Sequence, residues 1–436
     1  MTDSLDRRQF LGQTALAGSA ATIALGAGAA FANKAPQRKV VIGIMGLSRG
    51  LGLARGFARQ PGCEIKYLCD VDQNRAASAA SQVNKVTEKD AKVVYDFRRI
   101  LDDPEVDALV CAAPNHWHAP ATIMACVKGK HVYVEKPCSH NPGEGELMIA
   151  AARKYKKAVQ MGSQRRSGAG TIEAMRELHN GVIGRVYLSK SWYRNVRPAV
   201  NRADEKQRPP ATFDYELWQG PAPRVAYRPY KKGSGFDPHY NWHWFWHWGN
   251  GELGNNGVHT LDLSRWGLNV DYPIRVTSSG GRYHFKDDQQ TPDTHTVCFE
   301  FEGGRQIVWD GLSCNRHRAG FVEFYGDGGT LALQQDGSYT VYDKKDKVVK
   351  QKKAGSRGDA EHMADFLAAI RNDTPLKLNA EIETGHKSTL LCHLGNIAHR
   401  TGRSLACSAK TGRILGDEKA MALWRRDYEK GWEPTV

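Results

Sequence analysis

None of the nine cysteines (Cys63, Cys69, Cys111, Cys126, Cys138, Cys298, Cys314, Cys392 and Cys407) stands in a C-x-x-C pair. That is the spacing a zinc ribbon or a dithiol redox centre uses. Several lie inside apolar, strand-like runs, so we read them as buried thiols rather than a disulfide framework or a metal site. Past the first few dozen residues, no apolar run reaches the roughly 20 residues of a bilayer-spanning helix, which excludes a stable membrane anchor there. No internal repeat is visible. Acid is in deficit, with 47 Asp and Glu against 61 Lys and Arg and a formal net charge of +14. The basic residues are scattered, and pairs such as Lys231-Lys232, Lys344-Lys345 and Lys352-Lys353 sit in loop-like contexts. The excess therefore reads as solvated surface that favours anionic small molecules, not as a nucleic-acid interface.

What is present begins with MTDSLDRRQFLG. Arg7-Arg8 lead an n-region, a weakly apolar stretch of small residues follows, and Ala30-Phe31-Ala32 has the form of a cleavage site. Arg7-Arg8-Gln9-Phe10-Leu11 resembles a twin-arginine export signal. Residues 1–32 are thus expected to be removed, with the twin-arginine export machinery as a partner and the periplasm as the working compartment. Export in the folded state suits a protein that loads a cofactor beforehand, and its thiols need not pair.

The next 125 or so residues alternate strand and helix signals, the rhythm of a doubly wound parallel sheet. Val40 to Met45 is a short apolar run ending at Gly46. Gly46-Leu47-Ser48-Arg49-Gly50-Leu51-Gly52 leads into a helical stretch, and Glu64 to Cys69 forms a second strand that ends in Asp70. Strand, glycine turn, helix, strand and acid make a dinucleotide-binding unit, with the pyrophosphate expected at the helix N-terminus. Ser48 replaces the second glycine of the usual fingerprint, and Gly50 comes one residue early. Asp70 is placed to accept ribose hydroxyls and repel a 2′-phosphate, which favours NAD; Arg75 leaves NADP open. Val106 to Pro114 and Lys130 to Pro137 read as further strands.

Pro114-Asn115-His116-Trp117-His118 and Gly129-Lys130-His131-Val132-Tyr133-Val134-Glu135-Lys136-Pro137 resemble the glucose-fructose oxidoreductase/inositol dehydrogenase/MocA (Gfo/Idh/MocA) family. The resemblance implies a Rossmann domain over 38–162 with tightly held NAD. It also implies a C-terminal α/β domain over 163–436 whose open sheet shapes the substrate pocket and joins a homodimer or homotetramer. It further implies that Pro114, Asn115, His118, Glu135, Lys136 and Gln164 line the nucleotide, beside Gly46, Ser48, Arg49, Gly50 and Asp70.

In the second domain, short strand-like runs separated by glycine pairs predict a large, mostly antiparallel sheet. Glu361 to Ile370 and Ile382 to Thr401 read as closing helices. Asn195 to Gly235 reads as a long surface excursion placed to cover the pocket. The run His239-Tyr240-Asn241-Trp242-His243-Trp244-Phe245-Trp246-His247-Trp248 is dense in indoles that could stack on sugar rings or simply pack a core. Its histidines, four apart, would share a helix face, yet no carboxylate or cysteine completes a metal set, and we assign none.

The resemblance places an acid/base histidine at His259, preceded in the family by an aspartate four residues earlier; here that position is Asn255. Oxidising a secondary alcohol needs a base for the hydroxyl proton, and a near-neutral imidazole serves. Lys136 would hydrogen-bond the same oxygen, with Asn255 holding geometry without charge. Trp192, His243, Trp246 and His259 are the expected substrate contacts, and the substrate class is carbohydrate. Three functions stay open: an NAD(P)-dependent sugar or polyol oxidoreductase; a redox-neutral glycosidase, lyase or epimerase with retained NAD; and a non-catalytic sugar-binding protein.

Overall fold

The computed structural model describes residues 38–87, 89–231, 238–317, 320–353 and 355–436. The arginine-led opening, 1–32, lies outside the described residues. The first half forms a six-stranded sheet from β1 (Val40–Met45), β2 (Cys63–Cys69), β3 (Lys92–Val94), β4 (Ala108–Cys111), β5 (His131–Val134) and β6 (Val159–Met161). The order is β3-β2-β1-β4-β5-β6 and every pairing is parallel. Helices cover both faces, so Val40, Ile42, Ile44, Val110 and Val132 are wholly buried, and the strands read as continuous apolar runs. The order reverses between β1 and β4. A crevice opens there at the carboxyl ends of the strands, which is where doubly wound sheets bind ligands.

The second sheet has ten strands: β7 (Val186–Val196), β8 (Arg275–Gly281), β9 (Thr294–Phe301), β10 (Arg305–Leu312), β11 (Cys314–Asn315), β12 (Val322–Gly326), β13 (Gly329–Leu333), β14 (Tyr339–Asp343), β15 (Val348–Lys352) and β16 (Leu405–Ala406). β10 runs parallel to β7; the other pairings are antiparallel. In β9 and β10 burial alternates, with Val297, Phe299, Ile307 and Trp309 turned inward and fully buried. The helix Ile382–Thr401 matches its predicted span and packs against both β8 and the Rossmann-side helix Pro142–Lys154, which explains burial around most of its circumference. All nine cysteines are free thiols; Cys63, Cys298 and Cys314 are only half-buried.

The segment 195–235 is not a simple surface excursion. Val200, Phe213, Tyr215, Trp218 and Ala222 pack with Trp242, Trp244, Phe245 and Trp248 in a separate buried cluster. Apolar residues spaced irregularly along a Pro- and Arg-rich stretch carry no period, so their burial could not be read in advance. Residues 232–237 lie outside the described residues. Among the described residues no helix is long and apolar enough to cross a membrane.

Candidate active site

A cavity of about 710 Å³ lies at the carboxyl ends of β1, β4 and β5. At one end Gly46 turns the chain out of β1 with φ +84°, and a Cβ there would stand 2.7 Å from the backbone of Ala112 and Ala113. Only glycine permits that close passage. Ser48 is the N-cap of the helix Arg49–Ala58 but makes no capping hydrogen bond, so no side chain occupies the helix's first amides. Gly46, Ser48 and Arg49 all line the cavity. An uncapped, positive helix end beside a glycine turn fits a dinucleotide pyrophosphate. Gly50 does not line the cavity. Its missing Cβ, which would sit 3.0 Å from Ile44, lets the helix pack on β1.

Asp70 lies at the cavity wall and uses one oxygen on the Leu47 amide at 2.8 Å and the other on the Asp72 amide at 3.0 Å. Burial pushes its carboxyl pKa up against those two amides. It therefore shapes the glycine turn, and its remaining lone pairs can still meet a ribose hydroxyl. Arg75 borders the same end, and His239 Nε2 lies 2.9 Å from Asp72.

At the other end, the motif after β5 supplies Glu135 and Lys136. Glu135 accepts a 3.0 Å hydrogen bond from Arg49 Nε, tying this motif to the glycine turn. Lys136 Nζ donates to the Asn255 backbone oxygen at 2.6 Å and to its side-chain oxygen at 3.2 Å. The Asn255 amide in turn donates to Glu252 at 3.4 Å. Glu252 is buried, receives Arg197 Nε at 3.0 Å, and also accepts from Asn256. So the carboxylate missing at 255 is supplied one turn earlier, behind the amide. Glu252 and Arg197 escaped the sequence reading; the signal was a three-residue spacing on a helical turn. Leu253–Gly257 is a π-helical turn, a widening common at functional sites. Burial pushes the Lys136 pKa down, Glu135 pulls it back up, and Arg49 adds to the lowering.

His259 stands in the first turn of the helix Val258–Leu268, and its Nδ1 is buried without a partner. Burial, then the charges of Lys136, Arg165, Arg49 and Arg357, push its pKa well below the usual histidine value, so the ring is a neutral base. Asn115 Oδ1 is likewise buried and unpartnered, and Pro114, Asn115, His118 and Gln164 line the cavity. His118 is held between the carbonyl oxygens of Pro137 (2.6 Å) and Ala113 (2.7 Å). Gln164 donates to Asp359 at 3.2 Å. Arg165, Arg357 and Asp359 also border the cavity, from segments that no local motif marks.

Of the expected substrate contacts, His243 and His259 line the cavity; Trp192 and Trp246 do not. Trp192 lies in β7 with its indole against Gly320, and Trp246 borders a second cavity. The indole-rich run is mostly core: Trp242, Trp244 and Trp248 are buried, and of these only Trp242 reaches the active cavity, stacked on His243 at 3.6 Å. The three histidines share no helix face. A short helix Pro238–Asn241 gives way to a tight turn, Trp242–Trp244, and each ring takes its own partner: Asp72 for His239, the Tyr240 carbonyl for His243, and the Pro223 carbonyl for His247.

A crevice at the strand-order reversal, with a glycine turn at one end and a lysine and histidine at the other, is that of a two-domain dinucleotide-binding oxidoreductase. Residues 38–163 match the model described as oxidoreductase family, NAD-binding Rossmann fold, and residues 195–434 match the family's C-terminal alpha/beta domain. The chain belongs to the Gfo/Idh/MocA oxidoreductase family. It is similar to an inositol 2-dehydrogenase of Acidothermus cellulolyticus, 31% identical over 38% of this chain and 48% of that one. It is also similar to a glycosyl hydrolase family 109 protein of Streptomyces coelicolor, 25% identical over 42% of this chain and 43% of that one. The chain thus spans less than half the length of these relatives. In fold it is similar to an aldose-aldose oxidoreductase from Caulobacter crescentus complexed with glycerol, with a TM-score of 0.63 and 19% identity over 85% of this chain and all of the other.

Proposed function

We propose that this chain is an exported NAD-dependent oxidoreductase that removes a hydride from a secondary alcohol of a sugar, polyol or sugar derivative. The observation that carries this reading is that Lys136, Asn255 and His259 share one cavity with the Gly46 turn and Asp70. Bound NAD supplies the hydride acceptor. His259, held neutral, takes the hydroxyl proton. The Lys136 ammonium, anchored on Asn255, hydrogen-bonds the same oxygen and stabilises the charge that develops on it. Glu135 and Arg49 hold the lysine's motif against the nucleotide turn. Residues 38–162 bind the nucleotide; residues 163–436 bind substrate and pair copies of the chain into a homodimer or homotetramer across the large sheet.

Purified mature protein is incubated with excess NAD and a panel of sugars and polyols, and absorbance is followed at about 340 nm. NADH accumulating well beyond the enzyme concentration supports this reading. No absorbance change and no net turnover with any substrate overturns it. Replacing Arg7-Arg8 by lysines and fractionating cells tests export: the variant is expected to stay in the cytoplasm.

A second reading is favoured by the similarity to glycosyl hydrolase family 109 proteins and by the amide at Asn255. In it, a sugar carbon would give a hydride to retained NAD and later take it back; between the two, the acidified neighbouring C–H would lose a proton, the glycosidic oxygen would leave, and water would add across the resulting double bond. Glycoside cleavage with absorbance capped at one equivalent per chain identifies that case.

A further inference from the structure

A second cavity, of about 390 Å³, opens between the start of the helix Pro142–Lys154, the C-terminal half of the helix Ile382–Thr401 and the last segment of the chain. Asn141 and Asn250 line it, each 5% exposed, and neither amide Nδ2 has a hydrogen-bond partner. The Asn141 amide is oriented by its own oxygen, which caps the helix by accepting from the Glu144 N–H at 3.1 Å. Arg426 uses Nε on Glu144 at 2.8 Å and Nη2 on the His116 carbonyl at 2.6 Å, and its Nη1 is buried without a partner. Three buried donors therefore remain unused around one cavity, at the positive end of a thirteen-residue helix.

His140 adds an acceptor. Its Nε2 lies 2.9 Å from the Trp246 carbonyl and so carries the proton there, which leaves Nδ1, also unpartnered, with a lone pair. Burial, then the charge of Arg426, keeps this ring neutral. Arg400 and Arg425 bring two more cations to the lining, against Asp427 as its one acid, and Trp246 presents an indole with Arg400 at 5.2 Å from the ring.

We propose that this cavity is a second ligand site, for a small polyhydroxylated carboxylate such as a sugar acid. Arg426 Nη1 and the two asparagine amides receive the carboxylate. A hydroxyl of the ligand donates to His140 Nδ1, and Trp246 takes a C–H face. The volume falls within the range of small-molecule sites and exceeds what an inorganic ion needs, and a fixed acceptor calls for a ligand that carries a hydrogen-bond donor, which a hydroxyl supplies. The site is independent of the function read from the dinucleotide cavity.

Titration calorimetry of the whole mature chain, without NAD, uses gluconate and glucuronate as probes, with glucose and inorganic phosphate beside them. One gluconate or glucuronate per chain, bound at least about tenfold more tightly than glucose or phosphate, is expected. Asn250→Asp and Asn141→Asp, which swap a donor for an acceptor at constant size, and Arg400→Gln, on the exposed rim, should each weaken binding about tenfold or more. Lys136→Ala, in the other cavity, should leave it intact. Three results overturn the proposal: no heat at millimolar ligand, phosphate binding as tightly as gluconate, or binding that survives all three cavity variants. Arg400→Gln keeps the test decisive if an asparagine variant fails to fold.

Discussion

The Lys136 ammonium is anchored at 2.6 Å on the backbone oxygen of Asn255, a residue 119 positions away. That contact spans the two domains and fixes a cationic donor at the reacting end of the cavity. Lys136→Met is expected to lower kcat by about 10² to 10³, the usual cost of removing one donor to a developing oxyanion. NAD affinity should fall by less than kcat does, since Gly46, Ser48 and Asp70 at the other end of the cavity are untouched. Steady-state kinetics beside a fluorescence titration of NAD separates the two effects.

Asn255→Asp places a carboxylate next to that ammonium. Burial lowers the Lys136 pKa in the native protein, and an adjacent negative charge favours the protonated form. The alkaline limb of the kcat profile should therefore move up by about one pH unit. A superimposable profile would show that lysine deprotonation does not limit the rate.

Asp262 and Arg166 form a buried ion pair at 2.8 Å, with side chains 2% and 8% exposed, and Ser388 adds a 2.6 Å hydrogen bond. The pair ties the His259 helix to the segment after β6. Asp262→Ala strands a buried guanidinium and should cost about 3 to 5 kcal/mol in urea unfolding. Arg166→Met with Asp262→Leu should recover much of that loss.

Buried histidines kept neutral by the fold contribute to acid stability, among them His362, His386 and His393. Burial lowers His362 and His386 to about 4 and His393 to about 3. The unfolded chain takes up these protons near pH 6.5 while the folded chain does not, so their contribution is intact above about pH 6.5 and lost as pH falls towards 4. Each should cost about 1 kcal/mol per pH unit across that window. Urea unfolding compared at about pH 7 and about pH 5.5 reads the slope, and a flat result contradicts the assignment.

Asp70→Asn keeps an acceptor for the Leu47 amide but removes the charge facing the ribose. The ratio of NADP to NAD affinity should rise about tenfold, read from paired titrations. An unchanged ratio would move cofactor selection to Arg75.

The first domain was legible because its physics is local. Buried parallel strands are continuous apolar runs, and a turn at positive φ beside a close backbone demands glycine, so β1 and the Gly46 turn stood out by local composition, while the Glu135-Lys136-Pro137 motif stood out by its resemblance to a known family. Gly50 shows the boundary of that reading. Its residue type was read from the turn, yet only the position of Ile44 behind it shows that a side chain there would push the helix off β1. The indole run shows the same limit: composition marked it, while Trp246 and Trp242 went to different cavities.

The sequence by itself determined the alternation that makes a doubly wound sheet and the mostly antiparallel second sheet, while resemblance to a known family singled out Lys136, Asn255 and His259. The two sheets follow from neighbours within a few positions, through hydrophobic period and turn chemistry. Only the tertiary structure decided that Glu252 stands behind Asn255, that Arg165 and Arg357 bear on His259, and that Asn141, Asn250 and Arg426, each with an unpartnered buried donor, line one cavity. Those relations join residues whose separation in the chain carries no period. They arise from the packing of two sheets around the helix Ile382–Thr401, which no local pattern encodes.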